Sequence, residues 1–154
     1  MQVRFALQPL EKSLFLAGPT PRSAKVPSWR PEALRLLSEL GFTGTVYVPE
    51  ASDWNPHSEY ERQLNWEWEG LNQATVVAFW VPRNIRTLPA FTTNIEFGLL
   101  ASSGKTLMGY PKDAEKMRYL DALARRHHVP VMHSLRELLA AAVARTQRPF
   151  GAVR

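Results

Sequence analysis

Short apolar runs alternate along this chain with longer stretches in which apolar residues recur every three or four positions. Residues 13–17 read as a strand, stopped by Gly18-Pro19. Residues 31–40 read as a helix: Pro31 suits a first turn, Ala33, Leu36, Leu37 and Leu40 make one apolar face, and Gly41 ends it. Residues 45–48 form a second strand before Pro49, and 60–73 a helix, with Ser58 and Glu61 spaced as a capping box. The run 75–80, β-branched and apolar on both faces, has the pattern of a buried central parallel strand. A helix over 93–103, a strand over 106–110, a helix over 114–126 and a short strand over 129–132 follow. A helix over 134–144 closes the series, with Ser134 and Glu137 as its box.

Five strands in strict alternation with five helices predict an α/β fold, a five-stranded parallel sheet with helices on both faces in three layers, α/β/α. A flavodoxin-like strand order is the expected one. The 154 residues make a single domain, 1–154, in which 1–12 are expected to add an edge strand and 145–154 a basic tail. Such a sheet binds ligands outside the carboxyl ends of its strands, where the strand order reverses. The segments to watch are therefore 18–29, 49–59, 81–92 and 111–113. Two of them are long and rich in Pro, Asn, Trp and Arg, which marks function or disorder in a compact domain.

Composition changes this picture mainly by exclusion. The chain has no Cys, which removes disulfides, thiolate metal sites and cysteine nucleophiles. No segment approaches the ~18 apolar residues of a membrane span, and the run after Met1-Gln2-Val3-Arg4 is too short for a secretory leader. A cytoplasmic protein without a membrane partner is the expectation. The net charge of +5 comes from 19 Lys and Arg against 14 Asp and Glu. These charges are dispersed along helices and not interleaved with aromatics, as on a solvated surface rather than a nucleic-acid-binding one. His57, His127, His128 and His133 lack metal-ligand spacing, so no metal is expected. Gly104-Lys105-Thr106 fails as a phosphate loop because it leads from helix into strand, and five residues separate it from Gly98. It reads as a helix C-cap with an ordinary lysine. No dinucleotide fingerprint follows the first strand, and no cofactor is expected.

The most informative segment is Thr92-Thr93-Asn94-Ile95-Glu96-Phe97-Gly98. Two readings of Glu96 stand side by side. Thr93 and Glu96 fit a capping box in which Glu96 folds back on its own helix. Alternatively, Glu96 stands in the first turn after the central strand, at the mouth of the crevice, as a nucleophile toward an electrophilic carbon or as a general base. Gly98 leaves room one turn away for a ligand or a second chain. Glu67 is the second anomaly: Tyr60, Leu64, Trp68 and Leu71 form an apolar stripe, and Glu67 falls inside it. A buried carboxylate is either hydrogen-bonded glue or part of a site. Trp54, Trp66, Trp68 and Trp80 lie near the crevice segments. Trp68 reads as core packing; Trp54 and Trp80 fit either packing or stacking on a planar heterocycle.

An ordered set of these motifs resembles the nucleoside 2-deoxyribosyltransferase-like family. It comprises Leu14-Phe15-Leu16-Ala17-Gly18-Pro19, then Tyr60, Gln63, Trp66 and Glu67, then Val76 through Arg83, then Thr92 through Gly98. It ends with Gly109-Tyr110-Pro111, Asp113-Ala114, Lys116 and Tyr119-Leu120. The resemblance implies a flavodoxin-like fold, a homodimer or higher homo-oligomer, and a nucleoside or nucleotide as the small-molecule partner. It also implies a double displacement at the anomeric carbon, with the family's nucleophile falling on Glu96. Transfer to an acceptor base, hydrolysis of a nucleoside 5′-monophosphate, and silent nucleotide binding are the outcomes it leaves open. Gly18 and Pro19 would approach the sugar, and Trp80 and Arg83 would border the base. Arg83, Arg86 or Arg22 would meet a 5′-phosphate, and Asp53, Glu67, Thr93 and Asn94 would complete the binding set. The chain departs from the family in one respect. The acidic residues expected after the third strand and one turn before the nucleophile are absent, their places taken by Val81-Pro82-Arg83-Asn84 and Ala90-Phe91-Thr92. Glu67, Asp53, Asp113 or a partner chain would then have to protonate the leaving base.

Overall fold

The computed structural model describes residues 11–50 and 60–147. In chain order the elements are β1 (Ser13–Ala17), α1 (Arg30–Glu39), β2 (Thr45–Tyr47), α2 (Tyr60–Gln73), β3 (Val76–Trp80) and α3 (Phe91–Leu100). A single 3-10 turn (Ala101–Ser103) leads on to β4 (Thr106–Gly109), α4 (Arg118–Arg126), β5 (Val131–Met132) and α5 (Leu135–Thr146). All strand pairs are parallel, in the order β2-β1-β3-β4-β5. This is the flavodoxin-like order, with its reversal between β1 and β3.

The sheet is covered on both faces because β1 and β3 are buried along their whole lengths. On one face Leu14, Leu16, Val76, Ala78 and Leu107 pack with Ala33, Leu36 and Leu37 of α1 and Leu138, Leu139 and Ala142 of α5. On the other, Phe15, Val77, Phe79 and Met108 pack with Leu71 of α2, Phe97 and Leu120. Burial of each Val, Leu, Phe or Met side chain among them contributes roughly 1.5–3 kcal/mol, so these two clusters hold the sandwich together. The rings of Phe79 and Phe97 meet edge to face at 5.3 Å and tie α3 to the central strand.

Element ends follow local chemistry. The Ser134 hydroxyl accepts from the Glu137 amide at 3.2 Å, so the expected cap of α5 is formed. Gly41 (φ +69°) follows α1, and Gly104 (φ +77°) follows the 3-10 turn. Lys105 is not an ordinary lysine, however. Its ammonium donates to the carbonyls of Leu71 (2.6 Å), Asn72 (2.7 Å) and Ala74 (3.3 Å), neutralising the carboxyl end of α2.

Several boundaries differ from expectation by one to four residues, three of them notably. α3 begins at Phe91, not 93, because Pro89 and the left-handed Ala90 (φ +60°) set its start. α4 begins only at Arg118, since Lys116 turns left-handed (φ +55°) and breaks the run from 114. α5 extends through Arg145 to Thr146, so the tail expected from 145 starts later. Residues 11 and 12 carry no strand, and residues 1–10, Ser58 and 148–154 lie outside the described part.

Candidate active site

The strand reversal places a cleft of about 220 Å³ beyond the carboxyl end of β1. Its floor is Phe15 and Ala17. One wall is the turn Gly18-Pro19-Thr20 with Arg22. Gln63, Leu64 and Glu67 of α2 face it, and residues 87–93 with Glu96 close the third side. Gly18 is required at the turn. At φ +145° a β-carbon there would stand 2.1 Å from the Trp80 carbonyl oxygen.

That turn is held by a group the sequence did not single out. Arg30, 1% exposed, heads α1 and spreads its guanidinium under the loop. Nε donates to the Leu16 carbonyl (3.2 Å) and Nη2 to that of Gly18 (2.8 Å). Nη1 donates to Thr20 Oγ1 (3.1 Å) and to Glu50 Oε1 (2.6 Å). Glu50 is held in turn by the Ser28 hydroxyl (2.7 Å), and the Trp29 ring lies 4.7 Å from the guanidinium. Burial lowers the Arg30 pKa from its ordinary value, and Glu50 opposes that shift. Nothing in the spacing of Trp29-Arg30-Pro31 announces this role.

Glu96 is different. With α3 starting at Phe91, it stands in the second turn rather than the first, and no capping box forms: the α3 N-cap is Ala90, without a side-chain bond. The Glu96 carboxyl makes no hydrogen bond or ion pair with any described residue and lines the cleft. Burial, and secondarily the charge of Glu67, pushes its pKa up to about 7, while Arg30 pulls weakly the other way.

Glu67 lines the same cleft. The apolar stripe expected on α2 is rotated. Tyr60 and Trp68 are 72% and 53% exposed, so the core reading of Trp68 is corrected. The inward face instead carries Gln63, Leu64, Glu67, Gly70 and Leu71, because the first turns of α2 overhang the cleft rather than the sheet. Gln63 Nε2 donates to Glu67 Oε1 at 2.9 Å, an i,i+4 pair whose spacing was visible in the sequence. Burial raises the Glu67 pKa, and the Gln63 bond and the Arg30 charge lower it.

Of the expected binding set, Gly18, Pro19, Glu67, Thr93 and Glu96 converge on this cleft. Trp80, Arg83 and Asn94 do not. Trp80 is 7% exposed and packs on the opposite face of the sheet, against Gly109. Arg83 turns under α3, donating to the Asn94 side-chain oxygen and to the Lys116 carbonyl (3.1 Å), so both residues line a separate groove with Gly98 and Tyr119. Tight packing behind β3 overrides the loop position that made them look like base contacts. Arg86 is exposed, its amide bonded to Asn84, and Asp113 is exposed outside the cleft. Asp53 and Trp54 lie outside the described residues. Trp66 meets Phe15 at a tilt and Tyr47 edge to face, with ring centroids 6.2 Å apart in each pair. Among the described residues no cluster of His, Asp and Glu is built to hold a metal, and no helix is long and apolar enough to cross a membrane.

Comparison with known proteins agrees with this architecture. The family model described as nucleoside 2-deoxyribosyltransferase like matches residues 11–114, which include every described residue of the cleft. No curated protein sequence matches the chain. Among solved structures, that of a conserved protein from Enterococcus faecalis V583 superposes with a TM-score of 0.61 at 14% identity, covering 88% of this chain and 98% of the other. At that identity the likeness concerns the fold.

Proposed function

The chain belongs to the nucleoside 2-deoxyribosyltransferase-like family, and from that premise we propose that it is an enzyme acting on the N-glycosidic bond of a nucleoside or nucleotide. Glu96 is its nucleophile. A Glu96 oxygen attacks the anomeric carbon, the carbon–nitrogen bond breaks, and the base leaves with the bonding electrons and takes up a proton. A glycosyl ester of Glu96 remains. An acceptor base or water then attacks the same carbon and releases the carboxylate, which gives transfer or hydrolysis. Like a retaining glycosidase, the reaction passes through oxocarbenium-like transition states.

The observation that carries this reading is Glu96 itself, a half-buried carboxyl at the strand reversal with no hydrogen-bond partner among the described residues. A structural carboxylate in that setting would be paired. Its raised pKa means that burial has weakened its solvation, as suits a nucleophile that must approach a carbon. Arg22, the one cation lining the cleft among the described residues, favours a substrate with a 5′-phosphate, hence the second reading of a nucleoside 5′-monophosphate hydrolase. The proposal includes a homodimer or higher assembly in the cytoplasm. Phe91, Ile95 and Leu99, each 65–74% exposed, form an apolar stripe along α3 beside the cleft that a second subunit would cover.

The test is free-base release from a panel of nucleosides and their 5′-monophosphates, with and without an acceptor base, for wild type and Glu96→Gln. Release that requires an acceptor identifies a transferase, and release without one a hydrolase. Wild-type silence across the panel, with nucleotide binding retained, would replace the enzyme by a binding module.

A further inference from the structure

We propose that Glu67 is the proton-handling partner of Glu96: from another wall of the cleft it protonates the leaving base and then takes the proton back from the acceptor. This rests on the function proposed above and assigns the step that reading leaves without a residue.

Placement among the described residues carries the assignment. A purine or pyrimidine anion is a poor leaving group, so breaking its bond to the sugar needs a general acid within reach of a ring nitrogen. The segment after β3, from which such an acid would be expected, offers none. Val81 is buried, Arg83 is bound to Asn94 and Lys116, and Asn84 is spent on the amides of Arg86 and Thr87. Asp113 is exposed outside the cleft, and the Glu115 carboxylate accepts from the Ile85 amide at 2.8 Å. Among the described cleft residues the acidic side chains are Glu67 and Glu96 alone. They come from different helices, α2 and α3, and face one volume that holds Phe15 and Ala17 at its floor. A ligand in that volume meets one carboxyl from each helix.

Gln63 makes Glu67 a positioned group. Its amide donates to one Glu67 oxygen at 2.9 Å and leaves the other available to a ligand. Burial raises both carboxyls, and the charge on Glu67 raises Glu96 further, so a proton shared by the pair is held more firmly than by a free carboxylate. The reactive arrangement has that proton on Glu67 and the charge on Glu96. In the first half-reaction the Glu67 proton goes to the base nitrogen as the bond to the sugar breaks and the Glu96 ester forms. In the second, an acceptor base or water attacks the sugar carbon, its proton passes to Glu67, and the ester opens to regenerate ionised Glu96.

Leaving groups of graded basicity test this, including an N7-methylated purine nucleoside, whose base departs neutral without a proton. Rates are measured for wild type, Glu67→Gln, Glu67→Asp and Glu96→Gln, with thermal unfolding in parallel. Glu67→Gln is expected to lose about 10²–10⁴-fold on ordinary nucleosides. Its rate should depend steeply on leaving-base basicity, and the loss should shrink to within about tenfold on the methylated substrate. Glu67→Asp should recover part of the loss. Glu96→Gln should fail on every substrate alike. A Glu67→Gln protein slowed equally on all of them, or not slowed at all, overturns the assignment while leaving the proposed function intact. The inverse pattern, with Glu96→Gln retaining the methylated substrate, overturns it by exchanging the two roles. Wild-type inactivity on the whole series removes the proposed function and this inference together.

Discussion

Two walls of one cleft treat buried charge in opposite ways. Under the turn after β1, Arg30 is sealed from solvent and bonded through every nitrogen of its guanidinium, to four carbonyl or hydroxyl oxygens and to Glu50. Across the cleft, Glu96 is half-buried with no described partner, and burial pushes its pKa up to about 7. The first arrangement converts desolvation into a rigid loop, since each donor lost from water is replaced. The second leaves a desolvated charge for a ligand to satisfy. A buried ion that is fully bonded shapes a site, whereas one left unbonded is where chemistry is to be sought.

The largest expected effect separates the two walls outright. Glu96→Gln should remove turnover by about 10³-fold or more while unfolding no earlier than wild type, because the amide is spared the cost of a buried charge. Chromatographic base release and a thermal melt on the same sample check both halves. Arg30→Met should do the reverse. Stability falls by about 3 kcal/mol in a urea titration, because Glu50 loses its counter-charge and the carbonyls of Leu16 and Gly18 lose their donor. Activity falls only as far as the turn loosens, chiefly in KM.

A smaller effect appears in the pH dependence of stability. The Glu96 pKa is raised on folding, from an ordinary 4.5 to about 7. Between those values the folded state holds a proton that the unfolded state has lost, so stability declines as pH rises from 4.5 toward 7 and then levels. Glu67 adds to this decline in the same direction, its pKa being raised as well. Guanidinium titrations at pH 5 and 7.5 should therefore show wild type losing on the order of 2 kcal/mol relative to Glu96→Gln. Parallel curves for the two proteins would mean that Glu96 is as well solvated folded as unfolded. The smallest effect is a control remote from both walls: Ser134→Ala should cost about 1 kcal/mol through loss of the α5 cap and leave activity unchanged.

The fold was legible in the sequence because alternation and period are local signals. The bounds of α2 were readable to the residue, and β3 nearly so, from a helical pattern and a continuous β-branched run. Glu67 stood out as a carboxyl inside an apolar stripe, and Glu96 as one near the start of the helix that follows the central strand. The rest depended on contacts distant in the chain. Arg30 joins Leu16, Gly18, Thr20 and Glu50, and no spacing rule links these positions. Arg83 and Asn94 were drawn together, away from the cleft, by a bond between side chains eleven residues apart. The capping box at Thr93 failed because Pro89 and Ala90 start the helix early, and that displacement is what frees Glu96.

The central claim, that Glu96 becomes esterified to the sugar, is tested most directly by trapping the intermediate. Wild type mixed with a nucleoside that it turns over, quenched in acid within the first turnover, and digested for mass spectrometry should show one added glycosyl mass. That mass should map to the peptide carrying Glu96 and be absent from Glu96→Gln. Turnover without any adduct, or an adduct mapped to Glu67, would contradict the account.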